Sequence, residues 1–236
     1  MTKGKLYLIP TPLGEAATPT IPAYVVDIIQ KLDIFIVERA KTARHFIKAL
    51  CPTKSLPELI LHELNEHTPA QDITTFLDAA EQGKDIGLMS EAGCPGVADP
   101  GAAVVRLAHQ KGIEVVPLVG PSSILLALMA SGMNGQSFCF HGYLSAKKPE
   151  LEKDLKRLEQ LSAKLNQTQL FIETPYRNGN VVETALKALA PQTQFCIAVD
   201  LTLETQWIQT KTILQWKKAE VPDLHKRPAI FLMYGK

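Results

Sequence analysis

The residues whose types and spacing are best suited to a functional site lie in a long loop, SEAGCPGVADPG, at positions 90–101. It follows the apolar run DIGLMS, and its glycine and proline residues would let the backbone approach a ligand closely. Asp99 is a natural N-cap with Pro100 at the first helical position, so a helix is predicted to begin there. A tight turn with a capped helix is the alternative, although this loop is long for a plain turn.

A second loop, VGPSS, occupies positions 119–123. It places Ser122 and Ser123 at a predicted helix start, where free backbone N–H groups could bind a carboxylate, and simple serine caps are the alternative. Two carboxylates, Glu38 and Glu91, stand near predicted strand ends and are available as general bases.

The elements that position these loops alternate between apolar strands and helices. The strands are KLYLIP, DIFIVE, ELILHEL, DIGLMS and IEVVPL, with helices near 22–32, 42–50, 69–82 and 99–111. Five strands that are each followed by a helix predict a mostly parallel sheet covered on both faces. In such sheets the loops after the carboxyl ends of the strands form the ligand crevice.

A different pattern follows the helix PSSILLALMASG. The runs SFCFHGYL, TQLFIET, FCIAVDLT, TQWIQT and AIFLMYG are predicted strands, and KKPELEKDLKRLEQLSAKL and YRNGNVVETALKALA are predicted helices. Strands without intervening helices predict a mixed or antiparallel sheet. The predicted fold is therefore two α/β domains, residues 1–118 with a five-stranded, mostly parallel sheet and residues 119–236 with a mixed sheet.

The composition is that of a globular protein, with 46% hydrophobic and 21% charged residues among 236. Four cysteines are widely separated, which argues against both a zinc ribbon and a disulfide framework. The first apolar run, before Pro10, is too short for a signal peptide or a membrane span. We therefore expect a cytoplasmic protein that does not contact a membrane.

Metal binding is not expected either. His62, Glu63 and His67 superficially resemble the H-E-x-x-H motif of zinc proteases. The two histidines are five positions apart rather than four, however, and ELILHEL is a predicted strand.

Charge is unevenly distributed although the net charge is only +1. Residues 1–140 carry 11 basic and 14 acidic side chains, and residues 141–236 carry 14 and 10, so a bound polyanion would favour the C-terminal half. Arg39, Lys41, Arg44 and Lys48 lie at helical spacing and could meet phosphates, as could Lys147 and Lys148. Solvated helix faces are the alternative for both groups.

Eight segments occur in the order typical of one known family: LYLIPTPLG, DIFIVERAKTARHF, LHELNEHTP, GLMSEAGCPGVADPG, PLVGPSSILLALMASG, FHGYLSAKK, FIETPYR and RPAIFLMYG. Together they span nearly the whole chain. The sequence resembles the tetrapyrrole methylase family, most closely the branch that methylates small-subunit ribosomal RNA.

The resemblance implies a homodimer that binds S-adenosylmethionine in the cleft between its two domains, without the G-x-G-x-x-G fingerprint of other methyltransferases. That fingerprint is absent here. By position, the residues implied to bind the cofactor are Pro10, Ser90, Glu91, Ala92, Gly93, Cys94, Pro95, Ser122, Ser123, Glu173, Thr174, Pro228 and Ala229.

The substrate implied by the resemblance is the ribose 2'-hydroxyl of a cytidine in 16S ribosomal RNA. The candidate substrate-binding residues are Arg39, Lys41, Arg44, His62, Asn65 and Arg177, with Glu63 and Glu66 as further cleft residues. A strand end followed by a polar turn is the alternative for the segment from His62 to Glu66. The catalytic base is not assigned. Glu38 and Glu91 are the candidates, and either could instead hold the ribose or the methionine amine of the cofactor.

The sequence departs from the ribosomal branch at three motifs. Glu38, Arg39, Ala40 and Lys41 replace its E-D-T-R run, Glu91 to Pro95 read EAGCP rather than DAGTP, and VDLTLET lacks the Arg and Lys of R-E-L-T-K. These changes leave two alternatives open. One is a methyltransferase of a tetrapyrrole or another small molecule, and the other is a non-catalytic descendant that binds the cofactor or RNA.

Overall fold

The computed structural model describes residues 2–65 and 67–235, which divide into two compact units. The division falls between Ser122 and Ser123. The domain boundary proposed from the sequence, between residues 118 and 119, lies slightly before it in the same connecting segment. The expected cofactor position between the domains stays a prediction.

Unit 1, which ends at Ser122, contains a sheet in which every neighbouring pair of strands is parallel. Its strands are β1 Lys5–Ile9, β2 Ile34–Val37, β3 Ile60–Glu63, β4 Ile86–Met89 and β5 Glu114–Pro117. Their spatial order is β3-β2-β4-β1-β5. The predicted five-stranded parallel sheet is confirmed, and all five carboxyl ends meet at one edge.

Helices cover both faces of this sheet. They are α1 Ala23–Lys31, α2 Ala40–Leu50, α3 Ala70–Ile73, α4 Asp78–Glu81 and α5 Gly101–Gln110, with a 3-10 helix at Glu15–Thr20. The chain steps one way along the sheet from β1 to β3 and back again from β3 to β5. Because such crossovers are right-handed, α1 and α2 pack on one face and α4 and α5 on the other.

The single helix predicted near 69–82 is wrong, because the structure contains the two short helices α3 and α4 there. The Thr74 hydroxyl donates to the Gln71 carbonyl at 2.5 Å, and the Thr75 hydroxyl donates to the Asp72 carbonyl at 2.8 Å. Hydroxyl side chains that bond the local backbone in this way compete with a regular helix. The chain therefore turns between the two segments.

Unit 2, from Ser123 onward, has a mixed sheet with the order β6-β7-β10-β8-β9. Its elements are α6 Ser123–Ser131, β6 Phe138–Tyr143, α7 Lys148–Leu165, β7 Thr168–Ile172, α8 Asn178–Ala188, β8 Gln194–Val199, β9 Trp207–Thr212, α9 Ile213–Trp216 and β10 Ala229–Tyr234. Strands β6 and β7 are parallel, and the other neighbouring pairs are antiparallel. The predicted mixed sheet is confirmed.

Aromatic side chains form the centre of unit 2. Phe231 stacks on Phe171 and on Phe195, with ring centroids 5.6 and 5.9 Å apart. The buried Trp216 lies on α9, which the sequence analysis did not predict, and its indole N–H donates to the Phe195 carbonyl at 2.7 Å. A signal for α9 was present, since Thr212 and Gln215 form a capping box at its start.

The longest helix, α7, is amphipathic. Leu151, Leu155 and Leu158 are fully buried on one side, and most of its charged side chains face solvent. Within residues 2–65 and 67–235, no helix combines the length and the apolar character needed to cross a membrane.

Replacing Phe171 with alanine is expected to lower the free energy of unfolding by about 3–5 kcal/mol, because the ring is fully buried and its removal leaves a cavity. Phe138→Ala on the neighbouring strand β6 is the matched control. Its ring is 40% exposed, so a loss of about 1 kcal/mol is expected. Urea denaturation measures both, and equal losses would contradict this account of the core.

Candidate functional site

The loops that follow β1 and β4 are joined by a pair of backbone hydrogen bonds. The Thr11 N–H donates to the Gly93 carbonyl at 2.9 Å, and the Gly93 N–H donates to the Thr11 carbonyl at 3.0 Å. Because β1 and β4 are adjacent and parallel, both loops leave the same edge of the sheet. The bridge therefore fixes the start of the 90–101 loop over the carboxyl end of β1.

Glycine is required at two points where these loops meet. Gly93 has φ +79°, a backbone conformation that residues other than glycine rarely adopt. A Cβ atom at Gly120 would overlap the Pro10 ring, so the loop after β5 can approach the loop after β1 only with glycine there. The Cys94 thiol also lies 3.5 Å from the Pro121 carbonyl oxygen. Pro10 and the 90–95 segment, predicted as cofactor residues, are thus gathered with the chain just before Ser122.

Glu38, which follows β2, reaches the same loop. Its Oε1 accepts a hydrogen bond from the backbone N–H of Glu91 at 3.1 Å. Burial raises the pKa of Glu38, and the negative charges of Asp99 and Glu91 add to that effect. The two candidate bases named from the sequence therefore lie next to each other at the edge of the sheet.

Asp99 organises the end of the loop. Its Oδ1 accepts hydrogen bonds from the backbone N–H groups of Gly96, at 2.8 Å, and Gly101, at 2.7 Å. Its Oδ2 is buried and has no hydrogen-bond partner among residues 2–65 and 67–235, and burial raises the pKa of the carboxyl group. The prediction that the helix begins at Pro100 is wrong, since α5 begins at Gly101, but Asp99 still accepts from the first helical N–H.

A cavity of about 200 Å³ lies between these loops and α2, and we call it the α2 cavity. From the loops it is lined by Thr11, Pro12, Leu13, Gly14, Thr18, Val37, Glu38, Met89, Ser90, Glu91 and Ala92, and from α2 by Thr42, Ala43, His45, Phe46 and Ala49. Most of its walls are apolar, with a few polar groups, which is the usual character of a small-molecule site.

The α2 residues that line this cavity were missed in the sequence analysis. Thr42, His45, Phe46 and Ala49 recur at the spacing of one helical face, which a helix at this position makes recognisable. The basic residues predicted in and beside this helix, Arg39, Lys41 and Arg44, are exposed and do not line the cavity.

The residues predicted near the end of β3 have other contacts. His62 stacks on Phe76, with ring centroids 5.1 Å apart, and burial lowers its pKa. Asn65 accepts a hydrogen bond from the His67 N–H in a local turn, and Glu63 Oε1 accepts from the Ala40 N–H at the start of α2. None of these lines the α2 cavity. Their role in substrate binding stays a prediction, and Glu66 lies outside the described residues.

In unit 2, Glu173 and Arg177 form an ion pair. Glu173 is buried, and its Oε1 accepts hydrogen bonds from Arg177 Nε, at 3.0 Å, and from the Thr174 backbone N–H, at 2.6 Å. Ile230 of β10 lies opposite Ile172 of β7, so Pro228, Ala229, Glu173 and Thr174 share one end of the sheet. The four cofactor residues proposed for unit 2 therefore cluster, and Arg177 is held by one of them.

All four cysteines are free, and burial raises the pKa of the Cys196 thiol to about 11. In the part of the chain that the structure describes, no three His, Cys, Asp or Glu side chains are grouped so that they could hold a metal ion.

Asp99→Asn is expected to raise the free energy of unfolding, relative to the wild type, more at about pH 8 than at an acidic pH below the raised pKa of Asp99. The variant retains Oδ1 as acceptor but removes a partly buried charge. Because the folded pKa is raised, the wild type gains stability as pH falls through that pKa, so the advantage of the variant shrinks in acid. Denaturation at both pH values tests this, with the exposed Asp27→Asn as control. A difference between variant and wild type that does not change with pH would refute the prediction.

The chain is similar in sequence to known proteins. The sequence profile of the tetrapyrrole (corrin/porphyrin) methylases matches residues 5–215. The ribosomal RNA small subunit methyltransferase I of Vibrio cholerae is 32% identical over 234 residues, which is 98% of this chain and 77% of that protein. The protein of the same name from Escherichia coli O157:H7 is 30% identical over 222 residues, 93% of this chain and 74% of that protein.

Solved structures share the fold. The methyltransferase CobJ superposes with a TM-score of 0.64 at 19% identity, over 98% of this chain and 94% of CobJ. The uroporphyrin-III C-methyltransferase of Thermus thermophilus, complexed with S-adenyl homocysteine, superposes with a TM-score of 0.57 at 14% identity, over 98% and 97% of the two chains. The chain therefore belongs to the tetrapyrrole methylases, a family of S-adenosylmethionine-dependent methyltransferases.

Proposed function

We propose that this protein transfers a methyl group from S-adenosylmethionine to small-subunit ribosomal RNA, at the ribose 2'-hydroxyl of a cytidine. The observation that carries the proposal is similarity over nearly the whole chain, at 30–32% identity, to enzymes named for methylation of that RNA. The likeness to tetrapyrrole enzymes is at 19% identity or less and concerns the fold alone.

The residues of unit 1 are chemically compatible with a sulfonium cofactor. The 90–101 loop contains Glu91 and Asp99 and no basic side chain, so no fixed positive charge in the loop would repel the sulfonium. Gly93 is buried and allows the loop its left-handed turn at φ +79°. We propose that Ser90 to Pro95 hold the cofactor together with Pro10, Ser122 and Ser123, and that Glu173, Thr174, Pro228 and Ala229 of unit 2 also contribute.

For methyl transfer, the main task of the protein is to position the acceptor relative to the methyl group. When bound, S-adenosylmethionine supplies an electrophilic methyl group, and the chain must hold an acceptor oxygen in line with it. Positioning of this kind supplies about 7–11 kcal/mol of a reaction barrier. Glu38 and Glu91 are the carboxylates available to receive the hydroxyl proton, and they lie together in the structure.

Two further proposals concern assembly and location. A homodimer is supported by α6, whose Leu125 and Met129 are one turn apart and 52% and 79% exposed. Residues 115–146 contain no Asp, Glu, Lys or Arg, and depletion of charge is typical of the centre of subunit interfaces. A ribosomal substrate would place the enzyme in the cytoplasm.

Methyl transfer to small ribosomal subunits from cells that lack this protein tests the proposed function. We expect label from S-adenosylmethionine on the 2'-oxygen of one cytidine, located by mass spectrometry. Gly93→Val should abolish both cofactor binding and transfer, because a β-branched residue is strained at φ +79°. Gly135→Val is the control, since a Cβ there meets no atom within 4 Å.

The alternatives give different results in the same assay. Cofactor binding by calorimetry without any labelled RNA would refute the ribosomal substrate, and tetrapyrroles would be tested next. Cofactor binding without methyl transfer to either substrate would indicate a non-catalytic descendant.

Replacing Arg39, Lys41 and Arg44 together with alanine is expected to weaken binding of ribosomal RNA, because these exposed side chains at and just before the start of α2 are available to meet phosphates. The slope of log affinity against log salt should fall by about one for each phosphate that the variant no longer neutralises. The triple control Lys31→Ala, Lys84→Ala and Arg106→Ala removes the same charge from other exposed positions of unit 1. Equal slopes for the two variants would show that the α2 face does not bind RNA.

A further inference from the structure

The α2 cavity adjoins the proposed cofactor segment without including all of it. Ser90, Glu91 and Ala92 line the cavity, whereas Gly93, Cys94 and Pro95 do not. Cys94 instead contacts the Pro121 carbonyl in the loop after β5. The 90–95 segment therefore borders the α2 cavity with its first half and the loop after β5 with its second half. A cofactor bound by this segment would leave room for a second molecule in the α2 cavity.

In the α2 cavity, the carboxylate of Glu38 is fixed by a hydrogen bond and is surrounded mostly by apolar side chains. Glu38 Oε1 accepts the Glu91 N–H, which fixes the carboxylate, and its Oε2 makes no hydrogen bond to any residue in the ranges 2–65 and 67–235. Val37, Phe46 and Met89 supply apolar surface around it. A fixed acceptor in such a setting selects a planar ligand whose faces pack on apolar side chains and whose edge presents an N–H group.

Cytosine is such a ligand. Its exocyclic N4 amine donates hydrogen bonds, and Glu or Asp side chains characteristically accept from it, whereas uracil presents an acceptor oxygen at the same position. Enzymes that modify nucleotides commonly move the target out of the base stack into a pocket. Thr42 and His45, one helical turn apart on α2, face the same cavity and offer further hydrogen-bonding groups.

We propose that the α2 cavity receives the base of the acceptor nucleotide and that Glu38 selects cytosine by accepting a hydrogen bond from its N4 amine. The inference rests on the proposed ribosomal function. It also separates the two candidate carboxylates, because Glu38 recognises the base and Glu91 remains available for the hydroxyl proton.

Selection requires the carboxylate form of Glu38. Burial raises the pKa of Glu38, and the charges of Asp99 and Glu91 raise it further, whereas the Glu91 N–H and Arg39 oppose the shift. Besides Glu38, the titratable groups that line the cavity are Glu91 and His45. A protonated carboxyl group can donate to uracil as well as accept. Preference for cytosine is therefore expected above the raised pKa and lost as pH falls through it.

The test compares binding of cytidine and of uridine to the full chain, saturated with S-adenosylhomocysteine, by NMR titration at neutral pH. The wild type should prefer cytidine about tenfold, the discrimination expected of one well-placed hydrogen bond. Glu38→Gln should lose the cytidine preference and favour uridine, because the amide oxygen stays with the Glu91 N–H and the amide NH2 group, which only donates, then faces the base. The control Glu58→Gln removes an exposed carboxylate outside the cavity and should retain the preference.

Affinity for S-adenosylhomocysteine, measured by calorimetry, shows whether each variant is folded and whether the cavity belongs to the cofactor. It should be unchanged in Glu38→Gln. Loss of that affinity in a variant with normal circular dichroism would overturn the proposal, as would an undiminished cytidine preference in Glu38→Gln or no nucleoside binding by the wild type. A cytidine preference that depends on Glu38, in a protein that labels no ribosomal RNA, would support this inference while refuting the proposed function.

Discussion

Two backbone hydrogen bonds between Thr11 and Gly93 hold the functional edge of unit 1 together. The backbone hydrogen bonds of a parallel sheet stop where its strands end, so the loops that follow the strands have no regular partners for their N–H and C=O groups. The bridge supplies such partners and brings the loop after β4 over β1. The left-handed backbone at Gly93 and the close approach of Gly120 to Pro10 both serve this arrangement.

Carboxylates perform the same task from either side of the loop. Glu38 accepts from the Glu91 N–H near the start, and Asp99 accepts from Gly96 and Gly101 near the end. A charged acceptor forms a stronger hydrogen bond than a neutral one, but partial burial raises the pKa of both groups. The 90–101 loop is thus held by groups whose charge is electrostatically costly, a combination common at functional sites.

The two units bury their apolar side chains in different ways. Unit 1 encloses a parallel sheet between helices on both faces, which exposes one edge of strand ends for ligand binding. Unit 2 gathers α7, α8 and α9 around stacked phenylalanines, and its sheet is mixed. Its proposed site residues again lie at a strand end, where Glu173 binds Arg177.

The sequence by itself determined the order of the strands, the parallel and mixed sheets, and the motifs that identify the family, because hydrophobic periodicity and turn residues act over a few positions. Only the tertiary structure decided which face of α2 lines the cavity, that His62 stacks on Phe76, and that Glu38 meets Glu91. Glu38 and Glu91 are 53 positions apart, and their hydrogen bond follows from the pairing of β2 with β4. No local signal encodes such a pairing, since it depends on which strands share a sheet and in what register.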